Sequence, residues 1–221
     1  MSHPPIVFVR HGETAWNRIF RLQGQQDIPL NDLGRRQAAR NGRAVAGLLR
    51  AASSIPASIP AEIGTGTAPR SWEIMASPRM NWDVVASPLE RARETMDIAL
   101  DAAGMTGTSY RTDPLLLEVS YGAWEGLTLT ELAARDPDGH GARERDKWGF
   151  VPPEGESYAM LMARVSLWLD TLTGPTFVAA DGGVLRVLLH RLAGIPNYDA
   201  PHVDAPQDRA FLFTGRMVAA I

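Results

Sequence analysis

The chain has 221 residues, 45% of them hydrophobic and 21% charged, which fits one domain with a sizeable core and argues against pervasive disorder. It contains no cysteine, which excludes disulfides, thiolate metal sites and a cysteine nucleophile. The formal net charge of −3 provides no field that attracts nucleic acid, and neither a secretion signal nor an apolar run of ~18 residues is present. We therefore expect a cytoplasmic protein without nucleic-acid or membrane partners.

The chain is predicted to begin with a strand, a loop and a helix. The apolar run at residues 6–9 predicts a fully buried strand, and Asn31 or Asp32 is suited to cap the helix that follows. From about residue 51 to 82 the sequence is rich in Pro, Ala and Ser, which predicts an insertion without long elements. We interpret this insertion as a surface excursion, with a flap over the active site as the alternative.

Two more strand–helix pairs, two further helices and a closing hairpin are predicted downstream. They are Trp82–Ala86, Ser87–Ala103, residues 128–136, Ser157–Leu172, Thr176–Ala180, Val184–Leu192, Ala210–Phe213 and Met217–Ile221. This alternation predicts a single α/β domain over residues 1–221, built as a three-layer sandwich around a mostly parallel central sheet.

Three of the predicted strand ends carry residues suited to phosphate chemistry. Arg10-His11-Gly12 follows the first strand, Ser87–Arg91 the second and Asp181-Gly182 the third. Ligands of open α/β sheets bind beyond the carboxyl ends of the strands, so we expect these segments to converge. A histidine can attack phosphorus, and guanidinium forks bind phosphoryl oxygens through two parallel bonds.

The chain resembles the histidine phosphatase superfamily, which includes cofactor-dependent phosphoglycerate mutase. The resemblance rests on six blocks in the family's order: Val9–Thr14 with Asn17, Gln23–Leu30, Gly34 with Gln37-Ala38, Ser87–Thr95, Glu118 with Gly122–Gly126, and Gly182–Arg186. It implies a phosphoglycerate mutase-like fold and a reaction that passes through a phosphohistidine.

By this resemblance His11 is the nucleophile, and Arg10 and Arg91 bind the phosphoryl oxygens. The reaction needs a neutral ring nitrogen facing phosphorus, with the tautomer fixed by a hydrogen bond on the other nitrogen. Glu118 matches the family's proton donor, and a nearby phosphate is expected to raise its pKa. Glu125 competes for that role, although its Trp-Glu-Gly turn more often serves structure.

Four further positions are assigned to phosphate or substrate binding by the resemblance. They are Asn17, Gln23, Gly24 and Gly182. The amide of Asn17 suits a phosphate, and Gly24 allows close approach of the backbone. For Asn17, Gln23 and Gly24, stabilisation of their own loop is an equally good interpretation.

Asp181 departs from the family pattern, which has a second histidine before Gly182-Gly183. An ionised aspartate only accepts hydrogen bonds, and at ~4 Å its charge opposes a phosphate charge by roughly 4 kcal/mol if nothing compensates it. Three explanations stay open: a variant of an active enzyme, a natural member with altered chemistry, or a binding protein without catalysis. We expect residual activity to rise toward acidic pH, where a protonated Asp181 becomes a donor.

The predicted function is hydrolysis of phosphomonoesters by a histidine-type phosphatase that needs no metal and no cofactor and acts on a small phosphorylated metabolite. A phosphoglycerate mutase is the alternative among enzymes, although Glu118–Gly126 is more similar to the phosphatases. A catalytically silent phosphate-ligand binding protein is the alternative from another class. Specificity is expected to come from the insertion, a loop at 135–156 and the segment Tyr198–Gln207, and a homodimer is left open.

Overall fold

Six strands form one sheet in the computed structural model, whose described residues are 3–54 and 82–221. The strands are β1 Ile6–Arg10, β2 Asp83–Ala86, β3 Arg111–Thr112, β4 Thr176–Ala180, β5 Ala210–Thr214 and β6 Met217–Ala220. Their order across the sheet is β3-β2-β4-β1-β5-β6. The first four strands are parallel to one another, and β5 pairs antiparallel with both β1 and β6.

The same residues form seven α-helices, of which none is long and apolar enough to cross a membrane. They are α1 Ala15–Arg18, α2 Asp32–Ser54, α3 Glu90–Ala102, α4 Leu129–Arg135, α5 Pro137–Arg145, α6 Tyr158–Asp170 and α7 Gly182–Leu188. A π-helical turn over Leu189–Ala193 extends α7. Single 3₁₀ turns cover Pro114–Leu116, Gly122–Trp124 and Ala200–His202.

The helices cover both faces of the sheet, which explains why β1 and β4 are apolar along their whole length. Side chains alternate across a strand, so Phe8 and Val178 pack with α6 and α7 on one face. Val7 and Phe177 pack with α2 and α3 on the other. The predicted α/β sandwich with a mostly parallel sheet is confirmed.

Polar side chains mark where several helices begin. The side chain of Asn31 accepts a hydrogen bond from the backbone N–H of Gly34 at 2.9 Å at the start of α2. Thr128 and Glu131 form a capping box at the start of α4, and Ser157 caps α6. These caps satisfy backbone donors that have no partner inside the helix.

Three features differ from the sequence prediction. α3 begins at Glu90 and not at Ser87-Pro88, because Leu89 is the N-cap and the hydroxyl of Ser87 forms no hydrogen bond with the described residues. α5 lies where a loop was predicted. The sequence did not reveal this helix because it buries no residue and has no apolar periodicity. β3 was not predicted either, because its two residues are exposed. Most of the predicted insertion lies outside the described residues, and residues 51–54 still belong to α2.

Candidate active site

The carboxyl ends of β1, β2 and β4 meet at one edge of the sheet, and the residues that follow them form the candidate site. The backbone N–H of His11 donates to the carbonyl of Ala180 at 2.9 Å, and that of Ser87 donates to the carbonyl of Ala179 at 2.9 Å. The parallel register therefore continues one residue beyond the strands. It brings His11 and Asp181 side by side from distant parts of the sequence.

The buried imidazole of His11 has one nitrogen held by the backbone. Its Nδ1 lies 2.7 Å from the carbonyl oxygen of Gly12. The backbone N–H of Gly12 donates to the hydroxyl of Thr95 at 3.1 Å, and a Cβ at position 12 would lie 2.2 Å from the carbonyl oxygen of Gly34. With its proton on Nδ1, the ring has a free lone pair on Nε2, as a histidine nucleophile requires.

The guanidinium of Arg91 is fully buried and binds Asp181 together with two backbone carbonyls. Its Nε and Nη2 both lie 2.6 Å from Oδ1 of Asp181. Nη1 donates to the carbonyl of Gln26 and Nη2 to that of Gly24, each at 2.7 Å. The same Oδ1 lies 3.2 Å from Nε2 of His11. One carboxylate oxygen therefore lies between the two groups that are predicted to bind and attack a phosphate.

Both ring nitrogens of His11 face acceptors, the Gly12 carbonyl and the Asp181 carboxylate. A neutral imidazole donates only one hydrogen bond, so with the proton on Nδ1 the contact between Nε2 and Asp181 becomes a hydrogen bond only when His11 gains a second proton. Burial pushes the pKa of Asp181 upward, but Arg91 and His11 together outweigh burial and hold it at about 2. Burial also lowers the pKa of His11, and Asp181 opposes that shift. The lowered pKa keeps the imidazole neutral near neutral pH, and of the two groups it is the one that gains a proton in acid.

These contacts correct two expectations about Asp181. Acid between pH 7 and 4 does not turn it into a donor, because its pKa of about 2 keeps it ionised. Its charge is also compensated, because Arg91 lies 2.6 Å away. The consequence of an aspartate at this position is instead that the guanidinium of Arg91 is already occupied by a carboxylate.

Glu118 binds the start of α7 through its carboxyl group. Its Oε2 accepts a hydrogen bond from the backbone N–H of Gly183 at 3.0 Å, and its Oε1 accepts one from Val119 at 2.8 Å. Burial raises the pKa of Glu118 and the charge of Asp181 adds to the effect, while the two backbone donors act against it. A carboxyl with a raised pKa is suited to carry a proton near neutral pH.

Arg10 lies at the same edge, with its guanidinium turned toward α7. Its Nη1 donates to the carbonyl of Ala205, and its Nε is buried without a hydrogen-bond partner among the described residues. A Cβ at Gly182 would lie 3.2 Å from this Nε and 3.3 Å from Nη1 of Arg186. Burial and the neighbouring Arg186 lower the pKa of Arg10. The missing side chain at Gly182 thus makes room for two guanidinium groups.

Asn17 and Gln23 direct their side-chain oxygens toward their own loop. Oδ1 of Asn17 accepts from the backbone N–H of Thr14 at 3.1 Å and from Nε2 of Gln207 at 3.0 Å. Oε1 of Gln23 accepts from the hydroxyl of Thr14 at 2.7 Å. These contacts stabilise the loop that follows His11. They agree with the interpretation that Asn17 and Gln23 stabilise their own loop.

Gly24 and Glu125 join two loops beneath the site. Gly24 has a φ of +50°, and a Cβ there would lie 1.9 Å from Oε1 of Glu125. That oxygen accepts from the backbone N–H groups of Gln25 at 3.0 Å and Tyr121 at 3.1 Å. Glu125 is therefore used as a loop connector, and Glu118 is the carboxyl that reaches α7.

Two residues with close contacts to this site were given no role of their own by the sequence prediction, although both lie in segments that it names. Nε2 of Gln207 donates to the backbone carbonyl of His11 at 3.1 Å, from an irregular segment that carries no motif. Arg186 lies beside Arg10 and donates through Nε to the carbonyl of Val203 at 2.9 Å. Its position one helical turn after Gly182 is a signal that helical spacing offers.

The site therefore combines an imidazole, guanidinium groups and two carboxyl groups whose pKa values are shifted in opposite directions. Within residues 3–54 and 82–221, no group of three His, Cys, Asp or Glu side chains is arranged to hold a metal ion. Such a set of side chains can bind an anion, attack it and donate a proton to a leaving group.

Sequence comparison relates the chain to phosphate-processing proteins. The model of the histidine phosphatase superfamily (branch 1) matches residues 6–55 and 68–210. A bifunctional protein of Mycobacterium tuberculosis is 31% identical over 185 residues, which is 84% of this chain and 40% of that protein. The chain thus spans well under half the length of this mycobacterial relative. A probable phosphoglycerate mutase of Yersinia pestis, GpmB, is 29% identical over 196 residues, which is 86% of this chain and 75% of that protein.

Solved structures share the fold. A phosphoglycerate mutase from Thermus thermophilus matches with a TM-score of 0.62 at 31% identity, covering 94% of this chain and 91% of the other. An Escherichia coli protein whose name proposes an alpha-ribazole-5'-P phosphatase matches with a TM-score of 0.71 at 22% identity, covering 99% and 95%. The second likeness concerns the fold alone. On the family model that spans most of its length, the chain belongs to the histidine phosphatase superfamily, branch 1.

Proposed function

We propose that this chain hydrolyses phosphomonoesters of small metabolites through a phosphohistidine at His11, with turnover reduced by Asp181. The observation that carries the proposal is the 2.7 Å contact between Nδ1 of His11 and the carbonyl of Gly12. This contact assigns the nucleophilic lone pair to Nε2, on the side where Arg91 binds an anionic oxygen.

In the first step Nε2 of His11 forms a bond to phosphorus while the bond to the ester oxygen breaks. The leaving oxygen takes the proton of Glu118, whose raised pKa supports a protonated carboxyl near neutral pH. In the second step the Glu118 carboxylate accepts a proton from water, whose oxygen attacks phosphorus and releases the histidine. The two steps return both residues to their initial protonation states.

The arginines supply the electrostatic part of the reaction. A guanidinium fork holds two phosphoryl oxygens and compensates the charge that they carry in the transition state. In the free protein the fork of Arg91 is bound to Asp181. A phosphate therefore competes with a carboxylate for the same donors, which supports a lowered turnover.

The test is to trap the covalent intermediate. The chain is mixed with 4-nitrophenyl phosphate labelled in the phosphoryl group, quenched in alkali and then acidified, because a phosphohistidine survives alkali and releases its phosphate in acid. We expect the label to be protein-bound and acid-labile. His11→Ala should remove it and reduce hydrolysis by about a thousandfold or more.

His3→Ala is the matched control, because His3 precedes β1 and lies at the opposite edge of the sheet from the site. It should retain both label and hydrolysis. Hydrolysis that persists in His11→Ala would contradict the proposed nucleophile.

Two other functions are supported by particular observations. The relative named phosphoglycerate mutase supports transfer between hydroxyl groups of one substrate, and conversion of 3-phosphoglycerate without release of inorganic phosphate would favour it. The occupied state of Arg91 supports a phosphate-ligand binding protein without catalysis. Tight binding of phosphate esters with no labelled protein and no product would favour that function.

A further inference from the structure

Two charged side chains of the site each have a buried polar atom with no hydrogen-bond partner among the described residues. One is an acceptor, Oδ2 of Asp181, and the other is a donor, Nε of Arg10. The side chain of Asp181 is 1% exposed, so bulk water does not substitute for a partner. An unpaired buried acceptor and donor are costly unless a ligand satisfies them.

The two oxygens of Asp181 have different surroundings. Oδ1 is shared by Nε and Nη2 of Arg91 at 2.6 Å and Nε2 of His11 at 3.2 Å. Oδ2 lacks a donor. Since an ionised carboxylate only accepts, the group that completes Oδ2 has to carry a hydrogen.

Arg10 adds the complementary requirement close by. Its Nε lies against Gly182, the residue that follows Asp181, at a distance of 3.2 Å from where a Cβ would be. A guanidinium only donates, so the group that completes Nε has to accept. A phosphate group that retains one proton has both properties, because its hydroxyl donates and its other oxygens accept.

We propose that this site binds phosphate groups in the singly protonated form, with the P–OH hydrogen donated to Oδ2 of Asp181 and a phosphoryl oxygen bound by Nε of Arg10. Phosphomonoesters lose this proton with a pKa near 6. The site then discriminates against the ester dianion and against oxyanions that carry no proton, such as sulfate esters and sulfonates. This inference rests on the proposed function only in treating the pocket as a phosphate site.

The charged groups that face Asp181 and the proposed phosphate come from four parts of the fold. They are Arg10 from β1, His11 after β1, Arg91 from α3, Glu118 from the loop after the 3₁₀ turn Pro114–Leu116, and Arg186 within α7. His11 gains a proton in acid and would then strengthen the binding of any anion. A probe pair that differs only in the hydroxyl hydrogen separates this general effect from the specific one.

Methylphosphonate and methanesulfonate form such a pair, because at pH 5.5 both are tetrahedral anions with one negative charge and only the phosphonate has a hydroxyl. Neither can be hydrolysed. Titration calorimetry should give an affinity for methylphosphonate at least tenfold above that for methanesulfonate at pH 5.5. At pH 9 the phosphonate has lost its hydrogen. Between pH 5.5 and pH 9, the fold-decrease in affinity should therefore be at least ten times larger for methylphosphonate than for methanesulfonate.

Asp181→Asn should bring the two affinities at pH 5.5 within about threefold, because a neutral amide no longer demands a hydrogen from the ligand. Asp83→Asn is the matched control, because it makes the same change at the start of β2, away from the site, where Asp83 pairs with Arg111 at 2.9 Å, and it should keep the preference. Thermal unfolding of each variant establishes that it is folded at the temperature of titration.

Equal affinities in the unsubstituted chain, tighter phosphonate binding at pH 9, or no binding of either anion would overturn the inference. So would loss of the preference in Asp83→Asn with its retention in Asp181→Asn. Because no turnover is involved, a chain that shows the preference and hydrolyses nothing would contradict the hydrolase and leave this inference standing.

Discussion

The carboxylate of Asp181 connects the two side chains from which most of the proposed chemistry derives. It lies within 2.6 Å of the Arg91 guanidinium and 3.2 Å of the His11 imidazole. Removing either charge of a buried pair leaves the other uncompensated, at a cost of about 3–5 kcal/mol. Loss of Asp181 alone is therefore expected to destabilise the fold, while its presence occupies the donors that a phosphate needs.

Asp181→His should raise hydrolysis of phosphate esters at pH 7.5 about tenfold or more. The imidazole supplies a donor toward the transferring group, and the guanidinium of Arg91 becomes available for phosphoryl oxygens. The measurement is the initial rate on a panel of phosphate esters at saturating substrate. Equal rates in both chains would mean that Asp181 does not limit turnover.

Asp181→Asn separates the two reasons for that increase. It frees Arg91 from the negative charge without adding an imidazole, so its rate should lie between those of the other two chains. A rate equal to that of Asp181→His would assign the whole effect to the charge.

The sequence was sufficient to identify most of the candidate side chains, but it was not sufficient to predict their contacts. His11, Arg91 and Glu118 follow from motif and resemblance, and the structure brings them together. Their protonation states depend on neighbours from other elements, which no local pattern contains. The pairing of Asp181 with Arg91 removes the ground for the expected acid response in this way, because it keeps Asp181 ionised.

At the scale of elements, α2 and α3 pack side by side against the face of the sheet that contains Val7 and Phe177. Their contact is close at Gly42, where a Cβ would lie 2.3 Å from the backbone carbonyl oxygen of Ala99. At Gly47, farther along α2, no described atom lies within 4 Å of such a Cβ. One helix thus offers two glycines in opposite environments.

Gly42→Ala should lower the free energy of unfolding by about 1–3 kcal/mol, because the added methyl group forces two helix backbones apart. Gly47→Ala should raise it by about 0.5–1 kcal/mol, because alanine loses less conformational entropy in a helix than glycine. Urea unfolding monitored by circular dichroism measures both changes. Destabilisation of similar size in the two variants would contradict the packing argument.

Elements with a strong apolar pattern were predicted well, and those without one were missed. β1 and β4 are buried along nearly their whole length, and α6 shows its helical spacing clearly. α5 buries no residue, and its start is determined by the side chain of Asp136 and by Pro137. A helix of this kind is specified by its caps, which a search for apolar periodicity does not detect.

At the scale of the whole molecule, the Asp181 pair makes stability depend on acid. The pKa of Asp181 falls from 3.8 to about 2 on folding. Its ionised form therefore stabilises the native state above pH 4, and the stabilisation is lost as the pH falls through the folded value. The size of this contribution is about 2 kcal/mol.

At pH 5 the unsubstituted chain should therefore have a larger free energy of unfolding than Asp181→Asn. The difference between the two chains should be smaller by roughly 2 kcal/mol at pH 2. Chemical unfolding at a series of pH values measures it, and His11 is present in both chains. A difference that stays constant over this range would show that Asp181 titrates equally in the folded and unfolded states.

The parallel pairing of β1 with β4 has a kinetic consequence. Arg91 and Asp181 are 90 positions apart and Glu118 and Gly183 are 65 apart, so the chain must close long loops before these groups meet. Secondary structure can return early during renaturation, whereas ligand affinity returns only with the last long-range strand pairing. The rate at which ligand binding returns is accordingly a measure of the rate of complete folding of this chain.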